Sequence, residues 1–387
     1  MLPTRSDDAA SLLERTWGRP VRLTDWHPVE PWSVARATVR IGTRDEDVVV
    51  KWVRSGTPEH PGFRVHPDQA LREHATLRFV ADLTELPAGP IVPRPIAVAG
   101  ELQVMEDLSP RTPLHDLLLA DPDEPALRGL EEMVDLLAAL HAATRGREAE
   151  YAAYLPSSWS TARPAHDDPS GSAGPARHHA PVVLDVPGLG FRAGSAPRPD
   201  DDAVIELEDL TRRLVEPGEL HALSNGDSAP GNVLVARGLP ARLIDFESGG
   251  YQHALTDLAS LYLPHPAWIT ATDPVATGLE QRYREAMATV APVFGDDVGF
   301  GWELAAAMLA YAMVRLQRFE TCDDRPPGDS SRLQRLVTTE SAAALAGRRS
   351  AYPAIATWLH AVGAALRGRW PDTDLDISSL PEWLPRL

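Results

Sequence analysis

The sequence predicts an α+β protein with a small β-rich N-terminal part and a larger, mostly helical C-terminal part. Three observations support this class. Residues 21–26, 33–41 and 47–53 have the apolar, β-branched composition of strands. Helical periodicity dominates from about 275 to 368. Between these regions, the stretch from 223 to 249 has the pattern of a β-hairpin with polar residues at its ends.

The other elements alternate between helices and strands. A helical pattern covers residues 1 to about 20 and ends at Gly18 and Pro20, and the hairpin between the second and third strands is predicted to turn at 42–46. The remaining predictions are helices at 67–83, 113–120, 125–143 and 204–215, strands at 95–98 and 102–105, and late helices at 303–319 and 351–366.

Residues 156–203 differ in composition from the rest of the chain. They are dense in Pro, Ser, Gly, Asp and Ala and have no helical period, so we predict an insertion that is partly flexible. It contains His166, His178 and His179. A histidine pair without a third well-spaced ligand is more typical of a solvated loop than of a metal site.

Charge and length narrow the classes of partner. At 387 residues the chain can bury a large core, either as one two-lobed domain or as two domains. Its 37 basic and 55 acidic residues give a net charge of −18, which argues against a nucleic-acid partner because phosphate backbones attract clustered Lys and Arg. The same charge would attract a cationic substrate, although acidity also serves solubility.

Cysteine use and hydropathy indicate the compartment. Cys322 is the only cysteine, so neither an intramolecular disulfide nor a thiolate metal cluster can form. The N-terminus lacks the apolar run of a signal peptide, and no segment approaches the length needed to cross a bilayer. We therefore expect a cytoplasmic protein without a membrane partner.

Polar side chains gather at one end of the central hairpin. The predicted strands are residues 233–235 and 243–244, with Gly238 and Pro240 at the turn. Asp227 and Asn232 precede the first strand, and Asp245 and Glu247 follow the second. Folding brings these four side chains to one end, where carboxylate and amide oxygens suit Mg²⁺. Asp, Asn and Gly are also ordinary turn residues, so either half alone would be a weak signal.

The lysine content singles out one position. Of the 37 basic residues only Lys51 is a lysine. A GC-rich genome can replace Lys by Arg wherever either charge suffices, but not where a compact ammonium is required. Lys51 lies in an apolar strand pattern, where a charge is costly unless it is paired. It is therefore a candidate functional residue, the alternative being a strand-end lysine that reaches solvent.

The hairpin resembles a known pair of functional segments. A polar loop entering a strand, followed by an apolar strand ending in Asp-Phe-Glu, is similar to the catalytic and metal-binding segments of the aminoglycoside phosphotransferase and choline kinase family, relatives of the protein kinases. The family pattern is His-Gly-Asp, then Asn, then Ile-Asp-Phe or Ile-Asp-Trp. The resemblance covers about residues 20 to 320. It implies a bilobal protein-kinase-like fold, with a nucleotide-binding lobe at 1–107 and a helical lobe at 108–387.

The resemblance implies phosphoryl transfer with Mg²⁺ and ATP, GTP being an alternative nucleotide. Lys51, paired with Glu73 of the following helix, would contact the α and β phosphates. Asn232 and Asp245 would bind Mg²⁺, and Asp227 would accept or orient the proton of an attacking hydroxyl. By its position two residues after Asp245, Glu247 is a candidate for a second metal or for substrate.

Two other nucleotide contacts follow from the resemblance. Glu106, Asp107 and Leu108 lie where the kinase hinge holds adenine through backbone groups. The loop at 27–33, which covers the phosphates in kinases, contains no glycine, and Ser33 is our candidate for a substitute contact.

Structural support of the catalytic loop is assigned to Asn225 and Asp257. Asn225 stands where the family usually has the histidine that ties the catalytic loop to the metal loop, and Asn can still donate and accept. Asp257, in Asp-Leu-Ala, would brace the loop by accepting backbone hydrogen bonds, and a helix N-cap is its alternative role. His141 is expected to be structural. Arg315 and Arg318 could contact an anion, but a solvated helix face is the simpler interpretation.

Three functions remain open. The first is an ATP-dependent O-phosphotransferase acting on a hydroxyl of a small molecule, such as an aminoglycoside-like antibiotic or a metabolite. The second is a kinase for Ser or Thr of a peptide in the biosynthesis of a modified peptide natural product. The third is a pseudokinase that binds nucleotide or a partner without transfer. The sequence does not determine the oligomeric state.

Overall fold

A computed structural model of the protein describes residues 5–29, 33–53, 68–84, 86, 89–120, 124–156, 197–263, 273–316, 322–325 and 330–373. The strands are β1 Arg22–Pro28, β2 Val34–Ile41, β3 Arg44–Trp52, β4 Pro95–Ala99, β5 Leu102–Glu106, β6 Thr112–Pro113, β7 His221–Ser224, β8 Val233–Ala236, β9 Leu239–Leu243 and β10 Gly250–His253. The helices are α1 Arg5–Trp17, α2 Gln69–Ala81, α3 Leu114–Ala120, α4 Glu124–Thr144, α5 Glu148–Ala152, α6 Asp201–Val215, α7 Ala259–Tyr262, α8 Leu279–Met287, α9 Asp297–Leu316, α10 Ser330–Arg348 and α11 Pro353–Arg369.

The N-terminal part is an antiparallel sheet of five strands in the order β1-β2-β3-β5-β4. Helix α1 packs on it through Leu12 and Leu13, which join the buried strand residues in one hydrophobic cluster. The β2–β3 turn is tighter than the predicted 42–46, because Ile41 pairs with Arg44 and only Gly42 and Thr43 connect the strands. Gly42 has a φ of 66°, a conformation that glycine adopts without a steric penalty.

The central hairpin differs from the prediction at its turn. Ala236 pairs with Leu239, so the turn is Arg237 and Gly238, and β9 begins well before the predicted residue 243. Pro240 therefore lies in a strand instead of the turn. Strand β9 is at the edge of the sheet with order β6-β8-β9, where a residue without a backbone N–H is tolerated.

The C-terminal part is mostly helical, which confirms the predicted α+β class. A second, larger hydrophobic cluster combines residues of α4, α6, the central hairpin and the late helices, and helix α2 of the N-terminal part contributes Leu77, Phe79 and Val80 to it. Helix α2 thus connects the sheet to the helical part.

Helix α9 corrects one expectation about membranes. By length and composition it is apolar enough to cross a bilayer, whereas the sequence analysis found no segment of that length. In the structure 61% of its apolar window is buried inside the protein. Such burial is the pattern of a core helix.

Most of the predicted insertion at 156–203 lies outside the described residues, which leave out 157–196. Helix α6 begins at Asp201, three residues before the predicted helix at 204–215. The side chain of Asp200 accepts a hydrogen bond from the Ala203 N–H at 2.8 Å and so caps this helix.

Candidate active site

Lys51 lies near the end of β3, and its ammonium is surrounded by carboxylates. Nζ lies 2.9 Å from Glu73 Oε2 and 3.0 Å from Glu247 Oε2, and it also donates to Asp245 Oδ1. The Lys51 side chain is only 18% exposed. Burial alone would lower the pKa of Lys51, but the charges of Asp245, Glu73 and Glu247 raise it well above its ordinary value. The ammonium therefore stays charged at neutral pH.

Glu73 connects three parts of the protein through one carboxylate. It lies on α2 and its side chain is 2% exposed. Besides Lys51, it accepts hydrogen bonds from Gln103 Nε2 of β5 and, at 3.2 Å, from the Phe246 N–H that follows β9. Burial raises the pKa of Glu73, and the charge of Lys51 opposes this shift. The pairing of Lys51 with Glu73, predicted from the sequence, is thus present in the geometry.

Arg72 forms a contact with Glu247 that was not predicted from the sequence. It precedes Glu73 on α2, is 5% exposed, and donates from Nη2 to the backbone carbonyl of Glu247. Helix α2 therefore holds the segment after β9 at two successive positions. The sequence carries no local signal for this contact, because it joins residues that are far apart in the chain.

Asp245 occupies an unusual backbone conformation. Its φ is 62°, in the left-handed region that residues other than Gly rarely adopt and that often marks functional sites. Oxygen atoms of Glu73, Asp245 and Glu247 lie within 4.8 Å of one another and could hold a metal ion. Because Mg²⁺ prefers oxygen ligands, this donor set fits it. In the structure the Lys51 ammonium lies among these same oxygens.

The two residues predicted to bind metal have different surroundings. Asp245 contacts Lys51, whereas Asn232 Nδ2 donates to the Asp227 carbonyl at 2.8 Å and lies 3.5 Å from Asp227 Oδ2. The Asn232 carbonyl accepts from the Ile244 N–H at 3.0 Å. This bond fixes Asn232 beside the residue that precedes Asp245.

Asp227 has the most informative electrostatic environment. The residue is exposed, yet desolvation by the surrounding protein raises its pKa, and the nearby charge of Asp245 raises it further, to about 6. The positive charge of Arg315 works in the opposite direction. Because the residue is exposed, solvent screens part of these effects. A carboxyl group with a pKa near 6 is suited to exchanging a proton close to neutral pH.

Asn225 connects the loop of Asp227 to the end of β9. Its Nδ2 donates to the Ile244 carbonyl at 3.3 Å, and its Oδ1 accepts from the Asp227 N–H at 3.1 Å and from Ser228 Oγ at 2.6 Å. The side chain is buried. An amide can both donate and accept, and each capacity is used here. These contacts join the two segments that the prediction assigned to this position.

Gly226 allows the same two segments to approach closely. Its φ is 79°, and a Cβ at this position would lie 2.3 Å from the Ser248 carbonyl oxygen. Any other residue would therefore push the loop of Asp227 away from the segment that carries Asp245 and Glu247.

Asp257 is a buried acceptor beneath the loop, inside a short 3-10 helix from Ala254 to Leu258. It accepts from Ser224 Oγ, and the Ser224 hydroxyl in turn accepts from the Gly226 N–H at 2.8 Å. The predicted bracing therefore runs through a side chain instead of directly from Asp257 to backbone N–H groups. His141 Nε2 lies 3.0 Å from Asp257 Oδ2, and Nδ1 lies 2.8 Å from the Tyr283 hydroxyl, which gives His141 a structural position.

The predicted hinge residues Glu106, Asp107 and Leu108 differ in whether their backbone N–H groups are already hydrogen-bonded. The Glu106 N–H donates to the Arg94 carbonyl at 2.9 Å and the Asp107 N–H to the Asp47 carbonyl at 3.3 Å. The Leu108 N–H forms no hydrogen bond within the described part of the chain. It is therefore the available donor among the three.

Other predicted contacts are less informative. The Ser33 carbonyl accepts from the Trp52 N–H at 3.0 Å, which fixes its backbone beside β3, but residues 30–32 next to it lie outside the described residues. Arg318 and the three histidines of the insertion also lie outside them. Arg315 lies near Asp227, contrary to the expectation of a simple solvated helix face.

Comparisons with known proteins gave one family and several distant structures. The phosphotransferase enzyme family matches residues 30–293. Choline kinase LicA from Streptococcus pneumoniae is 13% identical, with a TM-score of 0.46 over 84% of this chain and 94% of that one. An aminoglycoside phosphotransferase from Alicyclobacillus acidocaldarius is 11% identical, with a TM-score of 0.45 over 90% and 93%.

A third solved structure is a thermostable mutant of aminoglycoside phosphotransferase APH(4)-Ia in ternary complex with ADP and hygromycin B. It is 15% identical, with a TM-score of 0.40, and the similarity covers 91% of this chain and 98% of that one. No curated protein matched the chain. Because the family match spans residues 30–293, which is most of the chain, the protein belongs to the phosphotransferase enzyme family.

Proposed function

We propose that the protein is an ATP-dependent O-phosphotransferase that moves the γ-phosphoryl group to a hydroxyl of a small molecule. One observation carries the proposal: Lys51 is held by the buried Glu73 at 2.9 Å and lies beside the carboxylates of Asp245 and Glu247. Family membership supports the same reaction class. A lysine fixed in this way presents a compact positive charge, which suits binding of phosphate oxygens.

The remaining roles follow from the donors available at the site. Asp245 and Asn232 would hold Mg²⁺, with Glu247 as a further oxygen ligand close to Asp245. When bound, this ion would neutralise charge on the phosphate oxygens. Lys51 would contact the α and β phosphates, and the free N–H of Leu108 would bind adenine between the lobes at 1–107 and 108–387.

Asp227 would act on the acceptor. The acceptor oxygen gains a bond to the γ-phosphorus while the bond from that phosphorus to ADP breaks, and the hydroxyl proton passes to the Asp227 carboxylate. Its pKa of about 6 leaves this carboxylate ionised at pH 7, so it can receive the proton. Asn225, Gly226 and Asp257 position the loop that carries it.

The test is an acceptor screen of the full-length protein with Mg²⁺ and either ATP or GTP, in which ADP or GDP formation is measured. We expect formation that depends on a small hydroxyl compound and that Asp227→Asn lowers by at least about a hundredfold, the scale of general-base catalysis. Nucleotide binding without turnover for any acceptor, peptides included, would support a pseudokinase instead. Turnover with peptides alone would support the peptide kinase.

A further inference from the structure

Arg315 lies in the last turn of α9. Its Nη2 donates to the Tyr311 hydroxyl, and its guanidinium carbon lies 4.4 Å from the centre of the Tyr311 ring. Tyr311 and Asp227 line the same cavity of about 20 Å³. The guanidinium is thus fixed by Tyr311 close to the residue that we assign as the base.

In the described part of the chain, the Arg315 guanidinium bonds to Tyr311 and to no carboxylate. Within the described residues it forms no ion pair, although the chain has 55 acidic and 37 basic residues. Its Nε is buried and has no hydrogen-bond partner among these described residues. A buried donor without a partner is costly, and such a group in a folded protein calls for an explanation. A solvated helix face does not supply one, because a solvated N–H would bond to water.

The charge of Arg315 reaches Asp227 although the two side chains are not in contact. It opposes the rise in the pKa of Asp227, yet no hydrogen bond or ion pair joins the two side chains. Within the described residues, the one hydrogen-bond donor near the Asp227 carboxylate is Asn232 Nδ2, at 3.5 Å. A molecule with a hydroxyl at Asp227 and an anionic group at Arg315 would satisfy both. A cationic acceptor would instead meet the guanidinium as a like charge.

We propose that Arg315 is a specificity-determining residue that binds a carboxylate or phosphate group of the acceptor, so that the enzyme phosphorylates a hydroxyl of an anionic small molecule. The proposal rests on the proposed phosphotransferase function and narrows its substrate class. Guanidinium binds these two anions through paired N–H donors, which a single ammonium cannot reproduce. Movement of the side chain toward the anion would also give the buried Nε a partner.

The experiment uses matched pairs of probes that differ in one anionic group: glycerate against glycerol, and glucose 6-phosphate against glucose, with kanamycin as a cationic sugar. Each is added to the full-length protein with Mg²⁺ and ATP, and both ADP formation and thermal stability are measured. The variants are Arg315→Gln, Arg315→Lys and, as a control, Arg40→Gln. Arg40 forms an exposed ion pair with Asp45 on the β2–β3 hairpin, so this control removes the same charge away from the loop of Asp227.

We expect the wild type to respond more strongly to the anionic member of a pair. Arg315→Gln should raise the KM for that member about 10-fold to 100-fold, as expected for a lost hydrogen bond to a charged group, and leave the KM for ATP unchanged. Arg315→Lys should retain part of the affinity, and Arg40→Gln all of it. Retention by Arg315→Lys would also show that the loss is not due to misfolding.

Three results would overturn the proposal. The first is a stronger response to the neutral or cationic compounds, and the second is an equal response, or none, to both members of every pair. The third is a rise in the KM for ATP in Arg315→Gln, which would assign the guanidinium to the γ-phosphate. If Mg²⁺ and ATP fail to stabilise the wild type in the absence of any acceptor, the proposed phosphotransferase function itself is wrong. The thermal measurement without acceptor therefore separates failure of the proposed function from failure of the role of Arg315.

Discussion

Replacing Asp227 by Asn should stabilise the protein while it removes transfer activity. A carboxyl group whose pKa is raised by folding contributes stability that is fully present below its unfolded pKa and is lost as the pH rises through its folded pKa. For Asp227 these values are 3.8 and about 6. At pH 7 the ionised carboxylate therefore destabilises the folded state, and an uncharged amide of the same shape removes this cost.

The magnitude follows from the two pKa values. At 1.36 kcal/mol per pH unit the difference between 3.8 and about 6 corresponds to about 3 kcal/mol, and screening at this exposed residue reduces the expected gain to about 1 kcal/mol. Urea unfolding of the wild type and Asp227→Asn would measure it at pH 7.5 and at lower pH. The gain should shrink as the pH falls through 6 towards 4, because the wild-type carboxylate then takes up its proton.

A suitable control is Asp202→Asn, the same change on the exposed first turn of α6. It should not become more stable. If Asp227→Asn were equally or less stable than the wild type at pH 7.5, or if its gain were the same at all pH values, desolvation and the charge of Asp245 would not be acting on Asp227 as described.

Three further predictions concern the same site. The kcat/KM for the acceptor should rise as the pH increases through about 6, where Asp227 loses its proton, and a flat profile from pH 5 to 7 would argue against Asp227 as the base. Arg72→Ala should lose about 2 kcal/mol of stability in urea unfolding, because it breaks a charge-assisted bond to the Glu247 carbonyl, and no loss would contradict that contact. Asn225→Ala should lower kcat more than it raises the KM for ATP in steady-state kinetics, because the bonds of Asn225 orient Asp227 and not the nucleotide. A larger effect on the KM for ATP than on kcat would refute this role.

The fold class was predictable because it rests on periodicity. Strand and helix patterns depend on local spacing of apolar residues, and the structure confirms them within a few residues at most boundaries. The turn of the central hairpin is an exception. Pro240 was assigned to a turn because proline favours turns, but the edge position of β9 removes the need for its N–H.

The site was predictable in its residue types and less so in its contacts. Lys51 could be singled out as the only lysine, and the hairpin placed Asp227, Asn232 and Asp245 at one end. The contact of Arg72 with Glu247 joins positions that no periodicity relates, so the sequence gives no signal for it. The same reason explains why the position of Arg315 beside Asp227 became evident only from the structure.

For Asn225, the residue type predicts the capacity for hydrogen bonds but not the partners. It departs from the residue usual in the resembling family, and the sequence could say only that an amide both donates and accepts. The structure supplies the partners, which are the Ile244 carbonyl on one side and the Asp227 N–H and Ser228 hydroxyl on the other. The role of Asn225 in catalysis stays a prediction.

The most direct test of the account is the thermal stability of the wild type, Lys51→Ala and Asp245→Ala with and without Mg²⁺ and ATP. A ligand that binds only the folded state must stabilise it, by about 2.7 kcal/mol at a concentration one hundred times Kd. We predict a rise in the Tm of the wild type that EDTA abolishes and that both variants lose, while Arg40→Gln retains it. An unchanged Tm with ATP and with GTP, or an equal rise in all four proteins, would contradict a nucleotide site at Lys51 and Asp245.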